Sequence, residues 1–180
     1  ASTFVGKMLY FFVMIYGISM LYEMPEGTES QLFLHILLSL SVIGSFTNTF
    51  MFNPTKDKYY AMILLGMDAK EYTLINYFYA ILKVLLGFTL GSLLFGLQTG
   101  LPVWQCLLIP FFVAGVKITD AAMVLRKFEK RGTAVNENKL AIFKWVIVAV
   151  LLGIAYGLPV LGLLIPLWIS VAMMVVGILL

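Results

Sequence analysis

The sequence predicts an all-α fold, a polytopic membrane helix bundle of about six transmembrane helices. The first observation is composition: 62% of the 180 residues are apolar, only 12% are charged, and the mean hydropathy is +1.00. Soluble domains carry roughly a quarter charged residues and just under half apolar ones. The second is spacing, because apolar stretches of transmembrane length recur along the chain. Lipid is therefore the predicted solvent of most side chains.

Each predicted helix is a stretch of about 20 mostly apolar residues, the length that crosses a bilayer. In order they are Phe4–Tyr22, Leu32–Phe52, Thr73–Leu97, Val103–Leu125, Leu140–Tyr156 and Val160–Leu180. Residues 1–180 thus form a single transmembrane domain. The chain opens without an initiator Met or a signal peptide and closes within an apolar run. We expect it to be part of a longer chain.

Charge alternates between the connections. The first connection carries Glu23, Glu26 and Glu29 and no base, whereas residues 53–72 and 126–139 are basic. With the N-terminus in the cytoplasm, all 12 Lys and Arg residues fall on the cytoplasmic side, as the positive-inside rule requires. We therefore predict a multi-pass protein of the cell's inner, cytoplasmic membrane. The pI near 9.0 then reflects topology and contact with membrane lipids, and no nucleic-acid partner is expected.

A short amphipathic helix is predicted in the cytoplasmic loop between the second and third spans. Its apolar face, at spacings i, i+3, i+4 and i+7, consists of Tyr60, Ile63, Leu64 and Met67. Gly66 is a plausible helix stop, and Asp68 followed by Glu71 makes a capping-box-like start for the third span. From the residues alone, a helix lying on the lipid headgroups is the favoured interpretation.

A family resemblance adds a second interpretation of this loop. The run Ile63-Leu-Leu-Gly-Met-Asp-Ala-Lys-Glu-Tyr-Thr-Leu, followed by Lys83, resembles the stretch before the third span of type-2 ABC exporter permeases. The matching residues are Leu64 and Leu65 for a leucine pair, Lys70 and Glu71 for a base and an acid, and Lys83 for an intramembrane lysine. The usual Pro of the turn is absent, since Met67-Asp68-Ala69 stands in its place.

The resemblance implies that the loop contains a coupling helix, which docks into a groove on a separate ATP-binding-cassette ATPase subunit. It also implies a permease subunit that exports an amphipathic substrate (a peptide, lipid or drug) and works as a homo- or heterodimer. The residues implied in coupling are Lys58, Tyr60, Ile63, Leu64, Leu65, Met67, Lys70 and Glu71. Two alternatives stay open: a fragment of a secondary transporter, and a membrane assembly or sensor subunit without transport activity.

Ionisable residues at membrane depth are functional candidates by default. Lys117 and Asp120 lie three residues apart in the fourth span, so they share a helix face and could pair. Lys83 lies deeper, and we expect it to meet a residue of another helix or a lipid phosphate. His35, the only histidine, is expected at headgroup level at the outer end of the second span.

Gly87-Phe-Thr-Leu-Gly91 is a Gly-xxx-Gly motif within the third span. Small residues at this spacing let two helix backbones approach closely. We expect Gly87 and Gly91 to form a helix-packing surface, within the chain or within a permease dimer.

Motifs of intrinsic catalysis are absent from the sequence. It contains no Gly-x-x-x-x-Gly-Lys-Ser/Thr run, no His-Glu-x-x-His and no Gly-x-Ser-x-Gly. A single cysteine, Cys106, excludes an internal disulfide, and we expect it to be a small buried or lipid-facing side chain. We therefore expect no enzyme activity, no cofactor and no metal in this chain, with ATP hydrolysed by the partner.

Overall fold

In the computed structural model, the chain folds into helices joined by short connections. The structure describes residues 2–23, 25–48, 56–131 and 141–179, and contains no β-strand within them. The helices are α1 (Ser2–Tyr10), α2 (Glu29–Asn48), α3 (Lys56–Tyr59), α4 (Ala69–Gly91), α5 (Val103–Arg131), α6 (Ala141–Leu152), α7 (Leu158–Val160) and α8 (Leu167–Leu179). Wider π-helical turns follow four of them: Phe11–Gly17 after α1, Tyr60–Leu64 after α3, Ser92–Gly96 after α4 and Gly153–Gly157 after α6.

Three of the described helices are long and apolar enough to cross a membrane, namely Glu29–Thr47, Ala69–Thr99 and Val103–Lys127. The chain is therefore a helical membrane protein, as its composition predicts. Shorter apolar helices, Met8–Gly17, Lys144–Val160 and Leu167–Val176, overlap the other predicted spans. The end of the second predicted span and the basic segment 132–140 lie outside the described residues.

Helix α2 is the centre of the bundle. It contacts α5, α6, α8 and the π-turn after α1, and every residue from Leu32 to Leu38 is buried. A helix that is apolar on all sides is expected to be enclosed in this way. By contrast, α4 and the π-turn after it expose a row of apolar side chains at every fourth position: Leu74, Phe78, Leu82, Leu86, Leu90 and Leu94. This row is the surface of α4 available to lipid.

A proline inside α5 is compensated by a hydroxyl from the end of α4. Pro110 has no backbone N–H, so the carbonyl of Cys106, four residues earlier, lacks its helical donor. The hydroxyl of Ser92 donates to that carbonyl at 2.7 Å. In lipid such freed backbone groups must be satisfied from within the protein, and this bond ties the two helices together.

The connection between the last two predicted spans differs from the expected one. The sequence predicts a tight hairpin at Gly157–Pro159, but the chain stays helical through α7. Pro159 has no backbone N–H, so a carbonyl of the preceding turn needs another donor. The chain turns instead at Gly162, whose φ of 72° favours glycine, and residues 163–166 are non-helical before α8.

Candidate functional site

The segment just before α4 exposes a run of apolar side chains. Its exposed side chains are Tyr59, Tyr60, Ile63, Leu64, Leu65 and Met67, which we name the α3 patch. Ile63 is 65% exposed and Leu65 is 74% exposed, whereas Ala61 is buried. The four residues of the predicted apolar face are all in this patch.

A defined break separates the α3 patch from α4. Gly66 adopts the left-handed conformation, with φ of 65°, and ends the π-turn. Asp68 then caps α4, its carboxylate accepting the backbone N–H groups of Lys70 at 2.8 Å and Glu71 at 3.1 Å. The backbone N–H of Met67 donates back to the carbonyl of Ala61. The patch is therefore joined to α4 by a short, hydrogen-bonded corner.

Charged residues lie beside the α3 patch on both sides. Lys58 lies one residue before it, and Lys70 and Glu71 are exposed in the first turn of α4. The structure thus places the eight residues implied in coupling within one stretch of chain that ends at the start of α4.

The intramembrane charged residues have different partners from those expected. The ammonium of Lys83 lies 3.8 Å from the ring centroid of Tyr79, one turn away on its own helix. Asp120 accepts the hydroxyl of Ser45, on α2, at 2.5 Å. Among the described residues Asp120 forms no ion pair with Lys117, and its carboxylate contacts Ser45 at the α2–α5 interface instead. Within the described residues, the ammonium of Lys117 has no hydrogen bond or ion pair.

His35 is a buried residue near the start of α2, and its ring bonds to two other segments of the chain. Its side chain is 0% exposed. Its Nδ1 lies 3.1 Å from the backbone nitrogen of Ile165, and its Nε2 lies 2.9 Å from the carbonyl oxygen of Ile154. A backbone N–H can only donate, so Nδ1 is the acceptor. The proton of the neutral ring therefore lies on Nε2, which donates to Ile154.

Both partners of His35 are backbone groups that the helix break frees. Ile154 lies in the π-turn after α6. In a π-helix its carbonyl would accept the N–H of the residue five positions later. That residue is Pro159, which has no N–H, so the carbonyl is left without a helical donor. Ile165 lies in the non-helical segment before α8. The amide of Gln31, one turn before His35, donates to the carbonyl of Ile165 at 3.0 Å. We name His35 and Gln31 the α2 clamp.

The α2 clamp had a faint signal in the sequence. Gln31 and His35 are polar residues at i and i+4, so they share one face of an otherwise apolar helix. Pro159 and Pro166 each remove a backbone donor near the end of the chain. Only the folded arrangement shows that the polar pair and the proline-rich segment meet.

The glycines of α4 pack within the chain. A Cβ added to Gly91 would lie 2.7 Å from the ring of Phe11, in the π-turn after α1. Gly87, one turn earlier, is also buried. Gly91 therefore permits the close approach of Phe11 to α4 inside one chain.

Fold and site together define a helical membrane protein that carries an exposed apolar segment at one end of its bundle and a clamped helix break at the other. Comparison of the chain with protein-family models, with curated proteins and with solved structures found no match.

Proposed function

We propose that this chain is the membrane-spanning permease subunit of an ABC transporter. It exports an amphipathic substrate, and a separate ATP-binding subunit supplies the energy by hydrolysing ATP. The chain lies in the cell's inner, cytoplasmic membrane, and its N-terminus and α3 patch face the cytoplasm. This orientation is supported by the distribution of the Lys and Arg residues in the sequence.

The observation that carries the proposal is the exposure of the α3 patch. A contiguous apolar surface rimmed by charged residues marks a protein contact or a membrane contact. Ile63, Leu64 and Leu65 are each at least 60% exposed. Consecutive helical positions do not share a face, so the apolar surface extends around the segment. A groove can enclose such a segment, whereas a flat headgroup layer covers only one side of it.

The corner after the α3 patch explains how docking would act on the membrane part. Met67, the last residue of the patch, is followed directly by Asp68, the N-cap of α4. Much of α4 faces outward, with 28% of its apolar window buried. A displacement of the docked patch by the ATP-binding subunit would therefore be passed directly to α4.

The test is co-purification of the tagged chain from its own membranes in a mild detergent. An ATP-binding-cassette subunit should co-purify with the unmodified chain. The combined substitutions Ile63→Asp, Leu64→Asp and Met67→Asp should reduce its recovery by about tenfold or more, since three charges would have to enter an apolar groove. Leu21→Asp is the matched control, because Leu21 is 80% exposed but lies in the turn just before the acidic connection that begins at Glu23.

Equal recovery of the ATP-binding subunit with the triple variant and with the control would refute the role of the α3 patch. Recovery of the chain with no such subunit in any sample would favour a secondary transporter or a non-transporting assembly subunit. Size-exclusion chromatography of each variant shows that the bundle itself is intact.

A further inference from the structure

A cavity of about 610 Å³ lies between α1, α2, α4 and α5. Pockets that bind small molecules enclose roughly 300 to 1,000 Å³ and combine apolar walls with a few polar groups. The walls of this cavity are mostly apolar, with Phe11, Met14 and Val113 among them. Its size and its walls fit one small amphipathic molecule.

Lys117 is the charged residue among the described lining residues of the cavity. Three hydroxyls from α2 line it as well, but each already donates a hydrogen bond: Ser41 to Leu37, Ser45 to Asp120 and Thr47 to Ile43. Asp120 itself is not among the lining residues. Within the described residues, the ammonium of Lys117 and the hydroxyl of Tyr10 are therefore the lining polar groups with donors to spare, and of these two the ammonium carries the charge.

The depth of Lys117 makes an unpaired ammonium costly. Nine residues of helix separate it from Arg126, which is about 14 Å along the axis of α5. The hydrocarbon core of a bilayer is about 30 Å thick, so Lys117 lies well inside it if Arg126 is at the interface. Charged groups at this depth normally pair with an opposite charge. An anion in the cavity would satisfy this requirement.

We propose that the cavity binds a single-chain anionic amphiphile, whose negative head group pairs with Lys117 while its hydrocarbon chain lies against the apolar walls. Lipid is as apolar as these walls, so the chain alone gains little by leaving the bilayer. The head group therefore determines which amphiphile binds. The inference deepens the transport proposal by naming a substrate class, and it rests on that proposal for the role of the bound molecule as cargo.

The experiment measures binding of a dansyl-labelled undecanoic acid to the purified full chain in a neutral detergent, by the rise in dansyl fluorescence. Saturable binding is expected, with displacement by dodecanoic acid and not by dodecylamine. Lys117→Met keeps the length of the side chain without its charge. It should weaken the binding of the acid by about ten- to a hundredfold, the value of a hydrogen bond to a charged group. Lys83→Met, outside the cavity, should leave binding unchanged.

A second variant fills the cavity instead of removing its charge. Gly44 lines the cavity, and a Cβ built there meets no atom within 4 Å. Gly44→Leu should therefore fold and lose binding of the probe. Gly153→Leu is the matched control, since a Cβ at Gly153 also meets nothing within 4 Å but Gly153 does not line the cavity.

Binding that is unchanged by both Lys117→Met and Gly44→Leu, or equal displacement by dodecanoic acid and dodecylamine, would overturn the inference. Its failure is distinguishable from failure of the transport proposal. Binding of the probe requires no ATP-binding subunit, and association with that subunit requires the α3 patch rather than the cavity.

Discussion

Replacing His35 should destabilise the bundle more than the loss of one side chain from a membrane helix usually does. His35→Leu replaces the polar ring with an apolar side chain of similar size in a site with 0% exposure. It removes the bonds to the carbonyl of Ile154 and to the N–H of Ile165. Neither backbone group has a helical partner that could take the place of the His35 ring. The helical donor to the carbonyl of Ile154 would be Pro159, which has no N–H, and Ile165 lies in a non-helical segment.

The magnitude follows from these two orphaned groups. A buried group left unpaired costs about 1–3 kcal/mol, whereas side-chain hydrogen bonds between membrane helices average about 0.6 kcal/mol. The value of about 0.6 kcal/mol applies where the groups left behind find other hydrogen bonds. The backbone groups of Ile154 and Ile165 have no such alternative. We therefore expect the free energy of unfolding to fall by about 2–6 kcal/mol, equivalent to a melting temperature lower by roughly 4–24 °C.

The assay is thermal unfolding of the purified chain in detergent, compared with Thr89→Val. The hydroxyl of Thr89 donates to the carbonyl of Leu85 within its own helix. That carbonyl keeps its helical donor when the hydroxyl is removed, so this control should melt close to the unmodified chain. A His35→Leu variant that melts within a degree of the control would refute the clamp as a source of stability.

Two further predictions concern the packing and capping of α4. Gly91→Ala should lower the free energy of unfolding by about 1–3 kcal/mol, because the added methyl group would press on the ring of Phe11. Gly44→Ala, into open space, should be neutral or stabilising by up to about 1 kcal/mol, and equal melting of the two variants would contradict this packing. Asp68→Ala should weaken the start of α4 by about 0.5–2 kcal/mol, seen as faster hydrogen exchange of its first amides. Unchanged exchange there would show that the cap is dispensable.

Local features of the fold could be predicted from the sequence because their causes lie within a few residues. A run of apolar residues makes a membrane helix in any context, so the long helices follow from composition. Gly66 and Asp68 act on their own backbone neighbours. The boundary between the α3 patch and α4 therefore lies at Gly66 to Asp68, where the sequence predicts it.

Features that depend on distant parts of the chain could not be predicted. His35 is buried because a break more than a hundred residues later supplies its partners. The partner of Asp120 is Ser45, on another helix, although Lys117 is nearer in sequence. Similarly, Gly91 is a contact of Phe11, which no local pattern indicates. Each of these pairings is set by how the helices pack.

The central claim, a permease driven by a separate ATP-binding subunit, is tested most directly by ATP hydrolysis in the purified complex. The complex should hydrolyse ATP in a vanadate-sensitive manner after reconstitution into liposomes. The Asp substitutions at Ile63, Leu64 and Met67 should abolish that activity together with the co-purified subunit. Vanadate-sensitive hydrolysis that persists at the same rate with the substituted α3 patch, or a complex with no such hydrolysis, would contradict the account.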